Sequence, residues 1–369
     1  MSAPIRVAVL GFGLGGRVFH VPFVSAIPGL ELAAIVQRQG DEAAAAYPGV
    51  RVLRSAEEAF ADPAIDLVVV ATPNDTHFNL ASRALQAGKH VVVDKPITST
   101  SQQARELIAL AKAQGKVLAP FHNRRFDGDF LTVRKLRAEL KLGRIVTVES
   151  HFDRFRPMQR TGSWKEAGGP ANGLLFDLGP HLIDQALALF GPPQAITATI
   201  RGDRDETDID DAFSVLLEYT GEGTTYVRYE CRATMLAADP APRFRVHGTH
   251  GSYVKSGVDP QEAALLGRAR PPMLGTDEAW LREAETAWGT LTVALDRNEP
   301  GSLERMACAT ERGDYRLFYA NVRDAILGTA PLAIPAEDGY RVIRLLELAR
   351  LSSERRMTLD VSFDQGEAV

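Results

Sequence analysis

Short apolar runs alternate with amphipathic stretches through the first third of the chain, and the alternation stops near residue 120. The runs at 5–10, 32–36, 65–70, 90–93 and 117–119 are hydrophobic at nearly every position, as strands buried on both faces of a parallel sheet are. Between them, 15–26, 41–47, 75–87 and 101–114 carry the 3.6-residue periodicity of helices, and 98–101 offers Thr and Ser as caps for the last of these. Strands that alternate with helices of 10–15 residues build βαβ units. Right-handed crossovers then make residues 1–121 a doubly wound Rossmann domain.

The pattern changes from about residue 144. The segments 144–155, 195–200, 212–219, 225–231 and 243–246 are β-rich, and several alternate strictly. In the fourth, Val227, Tyr229 and Cys231 share one face while Arg228 and Glu230 share the other. A sheet with two unlike faces is usually antiparallel. Gly248 to Ser252 reads as a turn into another short strand. Residues 178–190 read as a helix stopped by Gly191-Pro192-Pro193, and 317–327 and 337–352 as helices near the end. The region 257–312 has too little periodicity to assign. The expectation for 122–369 is therefore an α+β domain on a large open, mostly antiparallel sheet, suited to substrate binding and to sheet-to-sheet assembly into a homodimer or higher homo-oligomer.

Composition narrows the function. A length of 369 residues suits about two domains at ~150 residues each. The net charge of −5, with no block of Lys and Arg, argues against nucleic-acid or anionic-membrane partners. Two cysteines, Cys231 and Cys308, make neither a disulfide framework nor a cysteine-rich metal site. No apolar run approaches the ~18 residues of a membrane span, and no secretory pattern is read at the start. A cytoplasmic, metal-free protein is expected.

Gly11-Phe12-Gly13-Leu14-Gly15-Gly16 follows a strand and opens a helix. GxGxxG alone is weak, but this context is the one its mechanism needs. Gly11 permits the tight turn, Gly13 lets backbone approach a pyrophosphate, and Gly16 allows close helix–strand packing. About 20 residues on, where NAD-binding chains place an acidic residue, stand Gln37-Arg38-Gln39. Arg38 can pair with a 2′-phosphate or stand as a solvated charge; the first reading favours NADP over NAD. After the third apolar run, Thr72-Pro73-Asn74-Asp75-Thr76-His77 would border the nicotinamide, with Asp75 or Asn74 able to cap the next helix. Val91-Val92-Val93-Asp94-Lys95-Pro96 delivers a carboxylate and an ammonium at a strand's carboxyl end, where ligands of open α/β sheets bind. A solvated lysine opening a loop is the alternative.

Asp177-Leu178-Gly179-Pro180-His181-Leu182-Ile183-Asp184 is the second carrier of chemistry. Pro180 favours a first helical turn, which would put His181 at a helix N-terminus and keep its imidazole neutral and able to take a proton. Spacings of four and three put Asp177, His181 and Asp184 on one face if helical geometry reaches back to Asp177. A packed histidine beside a capping aspartate is the structural alternative. An i,i+4 Asp/His pair lacks the remaining ligands of a zinc site.

In order and spacing, GFGLGG at 11–16, ATPNDTH at 71–77, VVVDKP at 91–96 and DLGPHLID at 177–184 resemble the Gfo/Idh/MocA family, which includes glucose–fructose oxidoreductase and inositol dehydrogenase. HNRRFD at 122–127, SHFDRFRP at 150–157 and ATMLAAD at 233–239 are similar to the branch containing NADP-dependent scyllo-inositol dehydrogenase. The resemblance implies an oxidoreductase that moves hydride reversibly between nicotinamide and a secondary alcohol of a cyclic polyol or sugar. It implies that Lys95 hydrogen-bonds the reacting oxygen, that His181 is the acid/base on it, and that Asp177 holds Lys95 and substrate. It places Arg124 and Asp153 near the polyol. Gly11, Phe12, Gly13, Leu14, Gly16, Gln37, Arg38, Thr72, Pro73, Asn74, His77, Asp94 and Lys95 form the expected cofactor-contacting set. A cis peptide is implied at Lys95–Pro96. Asp94 departs from the family's usual Glu, which shortens its reach. The same scaffold also serves non-catalytic dinucleotide sensors, sugar-acid or imine reductases, and hydrolases that recycle bound NAD.

Overall fold

The computed structural model describes residues 3–160, 166, 168–169, 171–220, 226–277, 280–296, 299 and 301–363. These pack as two compact units, each discontinuous in sequence. One comprises 1–123, 260–281 and 314–343; the other comprises 124–259, 282–313 and 344–369.

The first unit is built on six parallel strands: β1 (Ile5–Leu10), β2 (Leu30–Val36), β3 (Arg51–Leu53), β4 (Leu67–Val70), β5 (His90–Val93) and β6 (Leu118–Pro120), in the order β3-β2-β1-β4-β5-β6. The order reverses at β1, the switch point of a doubly wound sheet. Every residue of β4 is fully buried, as are Val91, Val92 and Val93, so both faces of the sheet are covered. The helices His77–Gln86 and Ser101–Ala113 pack on this half; Thr100 caps the second by accepting from the Gln103 N–H. The small strand β3 and the helix Ala56–Ala61 extend the sequence reading. Ser55 and Glu58 form a reciprocal capping box there, a pattern visible in Ser-x-x-Glu.

The second unit holds β7 (Ile145–His151), β8 (Ala195–Arg201), β9 (Ala212–Thr220), β10 (Tyr226–Thr234), β11 (Phe244–Gly248), β12 (Gly251–Lys255), β13 (Gly289–Ala294), β14 (Leu303–Cys308) and β15 (Leu359–Asp360). They form one sheet in the order β14-β13-β12-β11-β7-β10-β9-β8-β15, antiparallel except for the β7–β10 pair. The alternation expected near 225–231 is present in β10, where Val227, Tyr229, Cys231 and Ala233 are buried; Thr225 lies outside the described residues. The helix Leu174–Phe190 packs against β9 and β10. Within 257–312, left unassigned from sequence, are the helix Pro260–Leu266, which belongs to the first unit, and strands β13 and β14, of which β14 lies at an edge of the sheet. The helix Gly128–Ala138 was not foreseen. Its buried side includes Asp129 and Thr132, which breaks the apolar period. Among the described residues no helix is long and apolar enough to cross a membrane.

Candidate active site

In the first unit, Gly11 and Gly16 sit where a side chain would collide. Gly11 follows β1 at φ +99°, and a Cβ there would lie 2.5 Å from the Ala71 carbonyl oxygen; one on Gly16 would run into the Gly11 carbonyl oxygen. Gly13 has open space around its Cα, which leaves its backbone open to approach, while the neighbouring Leu14 side chain is half exposed. Phe12 meets the Tyr47 ring edge-on. The helix then opens with wide turns over Gly15–His20 and tightens to α-geometry over Val21–Ser25. Pro22 has no N–H to donate to the carbonyl four residues back, and a wider turn relieves its clash with that carbonyl. These features fit a dinucleotide pyrophosphate: a turn open at Gly13, with the amides of a starting helix behind it.

At the end of β2, Gln37 folds back. Its side-chain oxygen accepts from the Ala43 N–H at 2.8 Å, and its amide donates to the Glu42 carboxylate. Arg38 is exposed and forms no hydrogen bond or ion pair among the described residues. After β4, Thr72 pairs with the Thr76 hydroxyl at 2.6 Å, and Thr76 also donates to the Pro73 carbonyl. A tight turn over Asn74–Thr76 follows Pro73, so the position before the helix at His77 is held by Thr76, correcting the expected cap at Asn74 or Asp75. His77 is fully buried. Its ring nitrogens face the carbonyls of Thr72, at 2.9 Å, and Pro96, at 2.8 Å, which ties the two loops together. Burial pushes its pKa down, opposed by the Asp94 charge and by the two carbonyls.

Asp94 leaves β5 against the glycine turn: a Cβ on Gly15 would lie 2.9 Å from its Oδ2. Its Oδ1 accepts the Lys95 N–H at 2.8 Å, and Oδ2 lies 3.5 Å from His20 Nε2. The other His20 nitrogen is 2.6 Å from the Tyr319 hydroxyl. Burial alone would raise the Asp94 pKa; the adjacent His20 ring, then Lys95 and His77, hold it far below the carboxylate range. Burial, and then the Asp94 charge, raise the Tyr319 pKa well above the usual phenol value. The Lys95–Pro96 bond is cis, as expected. Sequence patterns carried no signal for His20 or Tyr319, which lie 299 residues apart.

In the second unit, Asp177, His181 and Asp184 lie on one helix, Leu174–Phe190, so helical geometry does reach back to Asp177. His181, however, is not at its N-terminus. Gly173, at φ +92°, precedes the helix, and Asp210 starts it: the Leu175 N–H donates to the Asp210 carboxylate at 2.7 Å and the Leu174 N–H to its carbonyl. Pro180 therefore sits inside the helix, and the N-terminal potential invoked for His181 is too far away to act. Asp177 is half-buried; His181 is buried, with the Phe152 ring 6.3 Å from its own. Asp184 accepts a two-pronged hydrogen bond from Arg125 at 2.7 and 2.8 Å. Arg124 lies over the Phe152 ring and pairs with Asp127 at 3.3 Å. Arg243 stacks on the same ring, donating to Ser150 and Gln185 at 2.6 Å each, and Gln185 in turn donates to the Arg124 carbonyl at 2.9 Å. The Asp153 carboxylate accepts the Ala241 N–H at 3.3 Å and lies 3.7 Å from His151. Among the described residues no cluster of His, Cys, Asp or Glu could hold a metal ion.

A model of an oxidoreductase family with an NAD-binding Rossmann fold matches residues 5–122, and that of the same family's C-terminal alpha/beta domain matches 134–361. The chain belongs to the Gfo/Idh/MocA oxidoreductase family. Within this family it is 44% identical to the uncharacterized oxidoreductase YdgJ of Escherichia coli, over 97% of this chain and 99% of the relative. It is 35% identical to the scyllo-inositol 2-dehydrogenase (NADP(+)) IolW of Bacillus subtilis, over 96% and 95%. The solved structure of YPO2259 from Yersinia pestis superposes with a TM-score of 0.90 at 41% identity, over 99% of each chain.

Proposed function

We propose that the protein catalyses NADP-dependent, reversible oxidation of a secondary alcohol on a cyclic polyol or sugar of the inositol type. One observation carries the reading: the Asp94 carboxylate leaves β5 directly against the glycine turn, and Lys95, the next residue, starts its side chain beside that loop. That IolW is a scyllo-inositol 2-dehydrogenase (NADP(+)) supports the substrate class and the cofactor. Bound nicotinamide supplies the hydride acceptor and donor. Lys95 donates a hydrogen bond to the carbinol oxygen and stabilises its alkoxide character. His181 takes the hydroxyl proton as the C–H bond breaks and returns it in reduction. Asp177 accepts from the substrate and helps orient it, and Arg124 and Asp153 contact its remaining hydroxyls. Arg38 receives the 2′-phosphate. The outward face of the nine-stranded sheet, with Arg228, Glu230 and Arg232, is assigned to pairing between two copies of the chain, which light scattering tests by showing a dimer or larger assembly.

Lys95→Ala and His181→Ala are expected to lower kcat by roughly 10²–10⁴-fold, while NADPH titration still shows binding. Unchanged turnover in both variants overturns the assignment. Reduction of NADP⁺ and NAD⁺ against inositol isomers, aldoses and sugar acids identifies the substrate.

A further inference from the structure

The sequence shows no carboxylate at 37–39, but the fold brings two beside that loop: Asp41 and Glu42. Both are occupied. Arg54, which follows β3, reaches across. One of its terminal nitrogens donates to the carbonyls of Gln37, at 3.1 Å, and Gly40, at 2.6 Å; the other pairs with Asp41 at 2.7 Å. Glu42 is taken by the Gln37 amide. Its own backbone hydrogen bond and then Gln37 hold its pKa down, so it stays a charged carboxylate, with Arg17 near enough to add to the effect. Arg38 is left on this loop as the cation without a hydrogen bond or ion pair among the described residues.

We propose that Arg54 is a positioning residue for cofactor choice: it pairs with the exposed Asp41 carboxylate, offsetting its charge, and holds the 37–41 loop, so that Arg38 presents its positive charge to a 2′-phosphorylated dinucleotide. Gln37 holds the Glu42 carboxylate. Without Arg54, the Asp41 carboxylate faces a phosphate that carries nearly two negative charges, and the loop loses its fork to two carbonyls. The unphosphorylated dinucleotide gains or loses little, because a ribose hydroxyl tolerates a carboxylate. The inference rests on the NADP reading above, and the following experiment separates the two.

Equilibrium affinities for NADP⁺ and NAD⁺ are measured by calorimetry, with no turnover required, on wild type, Arg38→Ala, Arg54→Ala, Asp41→Asn and the Arg54→Ala/Asp41→Asn pair. Arg38→Ala is expected to weaken NADP⁺ about tenfold or more, the loss of a charge-assisted phosphate contact. Arg54→Ala is expected to weaken NADP⁺ roughly two- to fivefold and to leave NAD⁺ within about twofold, on the scale of an exposed ion pair. Asp41→Asn alone changes little, yet in the Arg54→Ala background it restores most of the loss, a coupling that a double-mutant cycle reads directly. Arg54→Gln keeps amide donors for the carbonyls without the charge; its NADP⁺ affinity falls while its thermal midpoint holds, which guards against a folding defect. Equal weakening of both dinucleotides by Arg54→Ala, or no restoration by Asp41→Asn, overturns the positioning role while leaving the NADP reading intact. A wild type that does not prefer NADP⁺, with Arg38→Ala unchanged, overturns both.

Discussion

The six-stranded sheet and the nine-stranded sheet are filled in different ways. In the first, β4 and the three valines of β5 are buried without a polar side chain, with Asp94 and Lys95 following as β5 ends, and a buried ion pair of this unit, Arg316 with Asp314 at 2.8 Å, is held off the strands, on the carbonyls of Pro272 and Asp277. The second sheet buries ions in and beside its strands. Arg243 lies among Phe152, Ser150, Gln185 and Asp129; Arg204 pairs with Asp211 at 2.7 Å; Lys255, with no exposed surface, meets Glu283 at 2.9 Å. Hydrocarbon is indifferent to orientation, so the first sheet rests on pattern and on glycines where backbone crowds. Buried ions each need a partner in a fixed geometry, so the second depends on particular pairs.

The sharpest test of that contrast is Arg243→Ala. It strands Asp129 and removes the cation stacked on Phe152, and is expected to destabilise the protein by about 3–5 kcal/mol, read from urea unfolding; a cost near that of a surface substitution would break the comparison. Gly16→Ala probes the other side. A Cβ against the Gly11 carbonyl is expected to cost about 1–3 kcal/mol as an overpacking change and to abolish dinucleotide binding, whereas Gly13→Ala, with open space, leaves stability unchanged in the same melt.

Asp210→Ala removes the carboxylate that starts the helix Leu174–Phe190, with an expected loss of about 1–2 kcal/mol, and thermal denaturation is a direct check. The smallest expected effect concerns His90. Its Nδ1 accepts the Val117 N–H at 3.0 Å, and burial, then Lys116, push its pKa down to about 4. Below an unfolded value near 6.5 the unfolded chain binds the extra proton. Stability from this group is therefore complete above about pH 6.5 and declines as pH falls toward 4. The ring is only partly buried, so the change is about 1 kcal/mol. His90→Asn should flatten that part of the stability–pH profile, and an unchanged slope would remove His90 from the account.

The same contrast explains what could be read in advance. The parallel strands were legible because both faces are buried, which leaves a run of valines in the sequence, and the glycine turn because steric need leaves few residue choices. Asp94 and Lys95 were legible by their place after such a run. The helix Gly128–Ala138 was not, since Asp129 and Thr132 occupy buried positions that a period count treats as exposed. Pro180 misled for a related reason: proline favours a first turn, but Asp210 and Gly173 supply a start six residues earlier that no local pattern reveals. Arg54 was invisible as a partner of the Arg38 loop because its contacts reach back up to 17 residues, across β3.

The capping of Leu174–Phe190 by Asp210 has a bearing on synthesis. The residue that satisfies the first amides of this helix lies 35 positions downstream, beyond β8. While the chain emerges, the helix bearing Asp177 and His181 exists before its cap does, so its first turn stays frayed until the strand pair β8–β9 has been made. The helix and that hairpin should therefore gain hydrogen-exchange protection together, as one cooperative block rather than in chain order.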